Sequence, residues 1–154
     1  MRRLLPAVAA LGACLALAGP ASAGNRMPAG VKRIGVTLTF PLTGSGSRKP
    51  VHRTLAGAAT VRRVVGAADA LRGAKVVGAC PMFVRAGSEL TVVFRGASGR
   101  ILAETSVQVV LGSRGTSGTS ACFPIHFTAG SHSQRLVGNS YLRLLGRLIG
   151  TAIS

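Results

Sequence analysis

Tryptophan is absent from this 154-residue chain, tyrosine occurs once, and only three Asp or Glu stand against 19 Lys or Arg. Three carboxylates are too few for oxygen-ligand sites of the EF-hand kind. Glycoside hydrolysis by a carboxylate pair would have to recruit two of those three. Tyr141 is the one polar aromatic and the five phenylalanines mostly fall at core positions, which leaves little for the stacking platforms on which single-stranded nucleic acids are held. Neither Gly-x-x-x-x-Gly-Lys-Ser/Thr nor Gly-x-Gly-x-x-Gly occurs, so no phosphate-cradling loop of those types is encoded. A complete Gly-x-Ser-x-Gly elbow is also missing: Gly96-Ala97-Ser98-Gly99 and Gly115-Thr116-Ser117-Gly118 both fail its spacing. A nucleophilic triad could take its orienting acid only from Asp69, Glu89 or Glu104. The 21 glycines show no collagen period, and no heptad run or internal repeat is present.

Apolar residues make up 47% of the chain and charged residues only 14%, which excludes a disordered polyelectrolyte. The length suits one domain able to bury roughly two-thirds of its unfolded surface. The net charge is +16. Lysine is confined to Lys32, Lys49 and Lys75, so most of the charge is arginine. A GC-rich coding sequence explains the ratio of Arg to Lys, but not the shortage of acids. The positive field is therefore read as a property of the protein.

The first residues have the layout of a secretory signal peptide. Arg2 and Arg3 precede an apolar run from Leu4 to Ala18, Gly19-Pro20 breaks it, and Ala21-Ser22-Ala23 is a small-x-small cleavage site. The run of about 15 residues is short of the ~20 that a spanning helix needs. Leu11-Gly12-Ala13-Cys14 offers a lipobox-like alternative, with Cys14 acylated. The expected organisation is a signal peptide at 1–23, a short tail at 24–30 and a single α+β domain at 31–154. After export, Cys80 and Cys122 form an even pair in an oxidising compartment, and a bridge between them is expected. It would close a loop of about 43 residues and contribute roughly 4 kcal/mol through chain entropy. Two separate buried thiols are the alternative.

Ile34, Val36, Leu38 and Phe40 alternate with small or polar residues as in a half-buried strand. A Gly-Ser loop at 43–50 follows. Val61, Val64, Val65, Ala68 and Leu71 recur at helical spacing, with Thr60 as N-cap and Gly73 as C′ residue. Leu90, Val92 and Phe94 alternate in one strand, and Ile101, Ala103, Thr105, Val107 and Val109 in the next. A four-residue turn at 96–99 predicts Arg95 opposite Arg100, Phe94 opposite Ile101 and Val92 opposite Ala103. A second flexible loop spans 112–120. Phe123, Ile125 and Phe127 alternate in a further strand, and a turn at 128–130 would set His126 beside His132. A last helix after Asn139 or Ser140 carries Leu142, Leu145 and Ile149 on its apolar side and Arg143 and Arg147 on its polar side. The predicted order is β-α-β-β-β-(β)-α. It implies a two-layer α+β sandwich, an antiparallel sheet of four to five strands with two helices on one face. The open face would show Thr37, Thr39, Thr91, Arg95, Arg100, Glu104, Gln108 and His126.

The ordered pieces Val36-Thr37-Leu38-Thr39, Thr60 to Val65, Cys80-Pro81, Leu90 to Arg95, Gly99 to Ala103 and the single Cys122 resemble a group of small, uncharacterised exported proteins and lipoproteins of high-GC actinobacteria. The resemblance covers most of residues 31–150. The chain departs from that group in carrying Ala58-Ala59-Thr60 where an Asp-Pro helix start is common. The resemblance implies export and a paired cysteine arrangement; it carries no catalytic residues across.

These readings lead to an exported, non-enzymatic binding or structural protein that uses no cofactor and is monomeric. An anionic envelope polymer or a lipid head group is the expected partner, with Arg33, Arg48, Lys49, Arg95 and Arg100 as candidate anion-binding residues. Export takes the chain away from nucleic acids. The alternative is a secreted regulator of another protein, such as a hydrolase inhibitor presenting the Arg48-Lys49 loop or the Arg114 loop. His126 and His132, if paired across strands, are candidate metal ligands without a third partner. The last helix could also lie on a membrane surface, although packing on the sheet is the expectation.

Overall fold

A computed structural model describes residues 27–41, 48–75, 87–109, 119, 122–151 and 153. The leader, Cys14, Cys80-Pro81, most of the 43–50 loop and Arg114 lie outside these residues. Seven strands and two helices are present among the described residues. The strands are β1 (Arg33–Thr39), β2 (Val51–Leu55), β3 (Arg72–Gly73), β4 (Ser88–Arg95), β5 (Ile101–Val109), β6 (Ile125–Ala129) and β7 (His132–Val137). The helices are α1 (Ala58–Asp69), between β2 and β3, and α2 (Asn139–Ile149), after β7. The sheet order is β2-β1-β4-β5-β6-β7-β3, and every neighbouring pair is antiparallel. The α+β class and the layering are as the sequence predicts.

The strand count corrects the expected four to five. β2, Val-His-Arg-Thr-Leu, is an edge strand in which His52, Arg53 and Thr54 are exposed, so it carries no alternating apolar signal. β3 has only two residues, both exposed, and closes the opposite edge against β7.

Alternation builds the core. Ile34, Val36 and Leu38 of β1 lie beside Phe94, Val92 and Leu90 of β4, and all six are buried. Burying each such side chain contributes about 1.5–3 kcal/mol. From the helices come Val61, Val64 and Ala68, then Tyr141, Leu142, Leu145 and Ile149, and all belong to one cluster with the strand residues. Met27 joins it at 8% exposure, with its backbone N–H donating to Asp69 Oδ1 at 2.6 Å. Within the short tail expected at 24–30, Met27 is thus anchored to the core, while Ala29 and Gly30 are exposed.

α1 begins before the expected cap at Thr60. Gly57 is the N-cap, and its carbonyl accepts from Val61 N–H at 2.9 Å. Ala58 and Ala59 are strong helix formers and extend the helix backwards. Ala70, not Gly73, ends it.

Two hairpin registers differ from expectation. Gly99, at φ +82°, donates to the Gly96 carbonyl at 3.1 Å, and Gly96 N–H donates to Arg100 O at 2.9 Å. A glycine in the left-handed region permits this short bulged turn. A further irregularity shifts the register between Phe94 and Arg95. Arg95 therefore faces Ile101, Phe94 faces Ala103 and Val92 faces Thr105. The predicted Arg95–Arg100, Phe94–Ile101 and Val92–Ala103 pairs are not formed, and Ile101 is 51% exposed. In the second hairpin Ala129 pairs with His132 across Gly130-Ser131, and His126 pairs with Arg135. The turn has two residues instead of three, and His132 moves to the face opposite His126. Phe123 also departs from its expected place. β6 starts only at Ile125, after Pro124, which has no N–H for a ladder, and Phe123 is 42% exposed.

Candidate functional site

The face of the sheet away from the helices is polar and continuous. One row runs His52, Thr37, Thr91, Ser106, His126 and Arg135 across β2, β1, β4, β5, β6 and β7. Thr37 Oγ1 and His52 Nδ1 are hydrogen-bonded at 3.1 Å. The next row runs Thr54, Gly35, Val93, Glu104, Thr128 and Ser133. Thr39, Glu89 and Gln108 make a third, shorter row. Thr37, Thr39, Thr91, Arg95, Glu104, Gln108 and His126 therefore lie on the face where the sequence puts them. Arg100 lies in the exposed turn instead.

At the Glu89–Gln108 end this face holds a solvent-open groove of about 320 Å³. Its floor is Glu89, Gln108, Ser106 and His126, and its wall is the segment Cys122-Phe123-Pro124. Cys122 is disulfide-bonded, which fixes the wall covalently. It lies three residues ahead of β6, the strand that alternation predicts after it.

The five predicted anion-binding residues do not form one site. Arg33 and Arg95 are register partners on the uncovered face, and Arg100 is at the nearby turn. Arg95 Nη1 donates to the Gly99 carbonyl at 3.0 Å. Arg48 and Lys49 precede β2, and the Leu38–Val51 pairing sets them past the far end of β1. Arg48 stands over the Phe40 ring, 5.9 Å from its centroid. The five or more residues of β1 between the two groups span about 17 Å or more.

None of the five predicted anion-binding residues is on the helical layer, although the last helix with its two arginines is a membrane-surface alternative in the sequence. Arg62 and Arg63 on α1 and Arg143 and Arg147 on α2 are exposed, and the two helices touch. Arg72 and Lys75, also exposed, lie at the β3 edge. Asp69 is the helices' sole acid, and its carboxylate accepts the Met27 N–H. The available signal was the spacing of Arg143 and Arg147, four apart on the side opposite the leucines.

The proposed pairing of His126 and His132 as metal ligands is overturned, since the register places them on opposite faces. Among the described residues no three His, Cys, Asp or Glu cluster as a metal site would require.

Tyr141, the chain's single tyrosine, is fully buried on the covered side, its hydroxyl 2.8 Å from Thr105 Oγ1. Burial pushes its phenol well above the ordinary tyrosine range, against the smaller opposing pull of the Thr105 hydrogen bond. It is a core residue, removed from any ligand. At the entrance to α2, Asn139 Oδ1 accepts from Thr119 N at 2.7 Å and from Thr119 Oγ1 at 3.0 Å, and Gly138 N–H donates to Thr119 Oγ1 at 2.7 Å. These bonds tie the β5–β6 connection to the helix start. No helix among the described residues is long and apolar enough to cross a membrane.

No protein-family model, curated protein or solved structure matches this chain.

Proposed function

We propose that this chain is a small exported binding module of the cell envelope, without catalytic activity, that takes phosphate-bearing anionic ligands on its helical layer. The observation that carries this reading is a helical layer rich in arginine whose single acid is already engaged. Arg62, Arg63, Arg143 and Arg147 project from two touching helices whose one carboxylate is already engaged by a backbone N–H. Glu89 and Glu104 are on the other side of the sheet. A surface with unneutralised arginines at i, i+4 spacing costs a few tenths of a kcal/mol in repulsion, which an anionic partner offsets. Guanidinium groups suit phosphate oxygens because they donate in a planar fork. The signal-peptide layout of residues 1–23 and the resemblance to exported actinobacterial proteins support the location. A Cys80–Cys122 bridge belongs to the same proposal.

The test is co-sedimentation of the processed chain with vesicles of phosphatidylglycerol in phosphatidylcholine, against pure phosphatidylcholine, over a salt series. Binding is expected only to the anionic vesicles and falls as salt rises. Each surface arginine contributes about 1 kcal/mol near an anionic membrane, so Arg143→Ala with Arg147→Ala weakens binding about 30-fold. Binding that ignores both salt and this double substitution would sink the reading.

A further inference from the structure

We infer that the groove on the uncovered sheet face is a second binding site, built for a neutral, hydroxyl-rich ring: one sugar unit of a glycan. This is separate from the anion reading and rests on different residues.

The groove's chemistry differs from the rest of the molecule. The chain has 19 Lys or Arg, yet none is among the described residues lining this groove. An anion would meet the Glu89 carboxylate without a compensating cation from those residues. A metal ion would find Glu89 and His126 but no third ligand of the His, Cys, Asp or Glu kind clustered with them among the described residues. A purely apolar ligand would leave the floor's polar groups without partners, which costs free energy.

What the floor offers is a mixed hydrogen-bonding set. A carboxylate accepts, a carboxamide donates and accepts, a hydroxyl does both, and an imidazole has one nitrogen of each kind when neutral. The register fixes their spacing. Glu89 and Gln108 are cross-strand partners, as are Ser106 and His126, and Ser106 and Gln108 are two residues apart on β5. The four groups thus span about 10 Å across three strands and about 7 Å along them, set by strand spacing and rise. Phe123 stands at the wall with 42% of its surface exposed, beside a floor of polar groups. An aromatic face against C–H groups, together with mixed donors and acceptors for hydroxyls, is the complement of a pyranose ring. The volume of about 320 Å³ lies at the lower end of small-molecule sites, about 300–1,000 Å³. Because the groove is open to solvent, it admits one unit of a longer chain. The disulfide at Cys122 and the ring of Pro124 restrain Phe123 on both sides, so little ordering is required on binding.

Amide NMR titration of the processed chain tests the assignment, with cellotetraose and the N-acetylglucosamine tetrasaccharide as neutral probes and inositol hexakisphosphate as the anionic one. A neutral probe is expected to shift the amides of Phe123, His126 and Gln108 with millimolar affinity, equally at about 50 and about 500 mM salt. Phe123→Ala, at an exposed position, weakens this about tenfold without unfolding the chain. Glu89→Gln keeps the fold and weakens it less, while Arg143→Ala with Arg147→Ala leaves it unchanged. Absence of shifts up to about 20 mM of either tetrasaccharide, a range that would reveal millimolar binding, overturns the assignment. So does a Phe123→Ala variant that binds as the parent does, or a groove that responds only to inositol hexakisphosphate. Those results leave the helical-layer reading standing, because its vesicle assay reads other residues.

Discussion

The two faces of the same sheet are made by alternate residues of the same strands, yet they have little else in common. On β4, Leu90, Val92 and Phe94 are buried against the helices, whereas Glu89, Thr91, Val93 and Arg95 point the other way. The covered side ends in a layer whose outer surface carries four arginines and one acid; the uncovered side holds the chain's other two acids, rows of Thr, Ser and His, and Arg33, Arg95 and Arg135. Stability is concentrated on one face, and the chemistry is divided between the other face and the outside of the helices. That division explains how a chain with so few carboxylates keeps two of them away from the arginines of its helices: strand parity alone places them there.

The largest test of this contrast is truncation on each side of one strand. Phe94, fully buried, is expected to cost about 3–5 kcal/mol as Phe94→Ala. Thr91→Ala, three residues away on the open face, is expected to cost about 0.5 kcal/mol or less. Urea denaturation measures both. Equal costs would mean that the open face is covered in solution, by another molecule or a second copy.

A smaller effect is expected where the covered side closes at the end of α2. Thr151 N–H returns to the Gly146 carbonyl at 2.9 Å, and Gly150 supports the reversal at φ +72°. A Cβ on Gly146 would stand 2.6 Å from the Thr151 carbonyl oxygen and 3.1 Å from the Ile153 nitrogen. Both are backbone atoms and cannot swing aside. Gly146→Ala is therefore expected to destabilise by about 1–3 kcal/mol despite alanine's better helix propensity. A stabilised variant in thermal melts would show that the residues after α2 are not held against it.

The Thr105–Tyr141 pair sharpens the comparison further, because it is the polar exception on the apolar side. Tyr141→Phe leaves Thr105 without its buried partner and is expected to cost about 1–2 kcal/mol. Adding Thr105→Val removes the orphaned hydroxyl, so the double variant should be more stable than the sum of the single changes predicts. The pair also sets a pH dependence. The folded phenol ionises above its ordinary value, so its contribution is complete below about pH 10, the unfolded pKa. It is lost as pH rises from there through the folded value. Alkaline unfolding is expected, and Tyr141→Phe flattens that limb while leaving neutral pH dependence alone.

Much of this architecture was legible in the residues, for a physical reason that also sets its limits. Where a segment has one wet and one dry side, as in β1, β4, β5 and α1, period-two or helical spacing reveals it. β2 escaped because an edge strand with three exposed central residues has no dry side to advertise. Tyr141 escaped because its burial depends on a hydroxyl partner 36 residues away in sequence. The groove was legible only in part. Gln108 and His126 could be assigned to the open face by parity, but their convergence with Glu89 and Ser106 depends on the registers of three strands. Alternation with Ile125 and Phe127 makes Phe123 a core residue, and only the late start of β6 turns it outward.

The smallest expected effect decides between registers. Strand alternation and a plain four-residue turn make Ile101 the core partner of Phe94, a position where Ile→Thr would bury a hydroxyl and lose apolar contact at a cost of several kcal/mol, about 2–4. The bulged hairpin instead gives that place to Ala103, 2% exposed, and leaves Ile101 51% exposed beside Arg95. Ile101→Thr should then change stability by no more than about 0.5 kcal/mol, because threonine keeps the β-branched fit to a strand and the lost methyl was already in water. Two one-residue shifts make the difference: the turn at Gly99, with its positive φ, sets Arg95 opposite Ile101, and the irregularity between Phe94 and Arg95 then passes over Leu102, so that the core receives Ala103 and not Ile101. A large loss of stability on Ile101→Thr would restore the plain turn, and with it the expectation that parity can be counted through the hairpin.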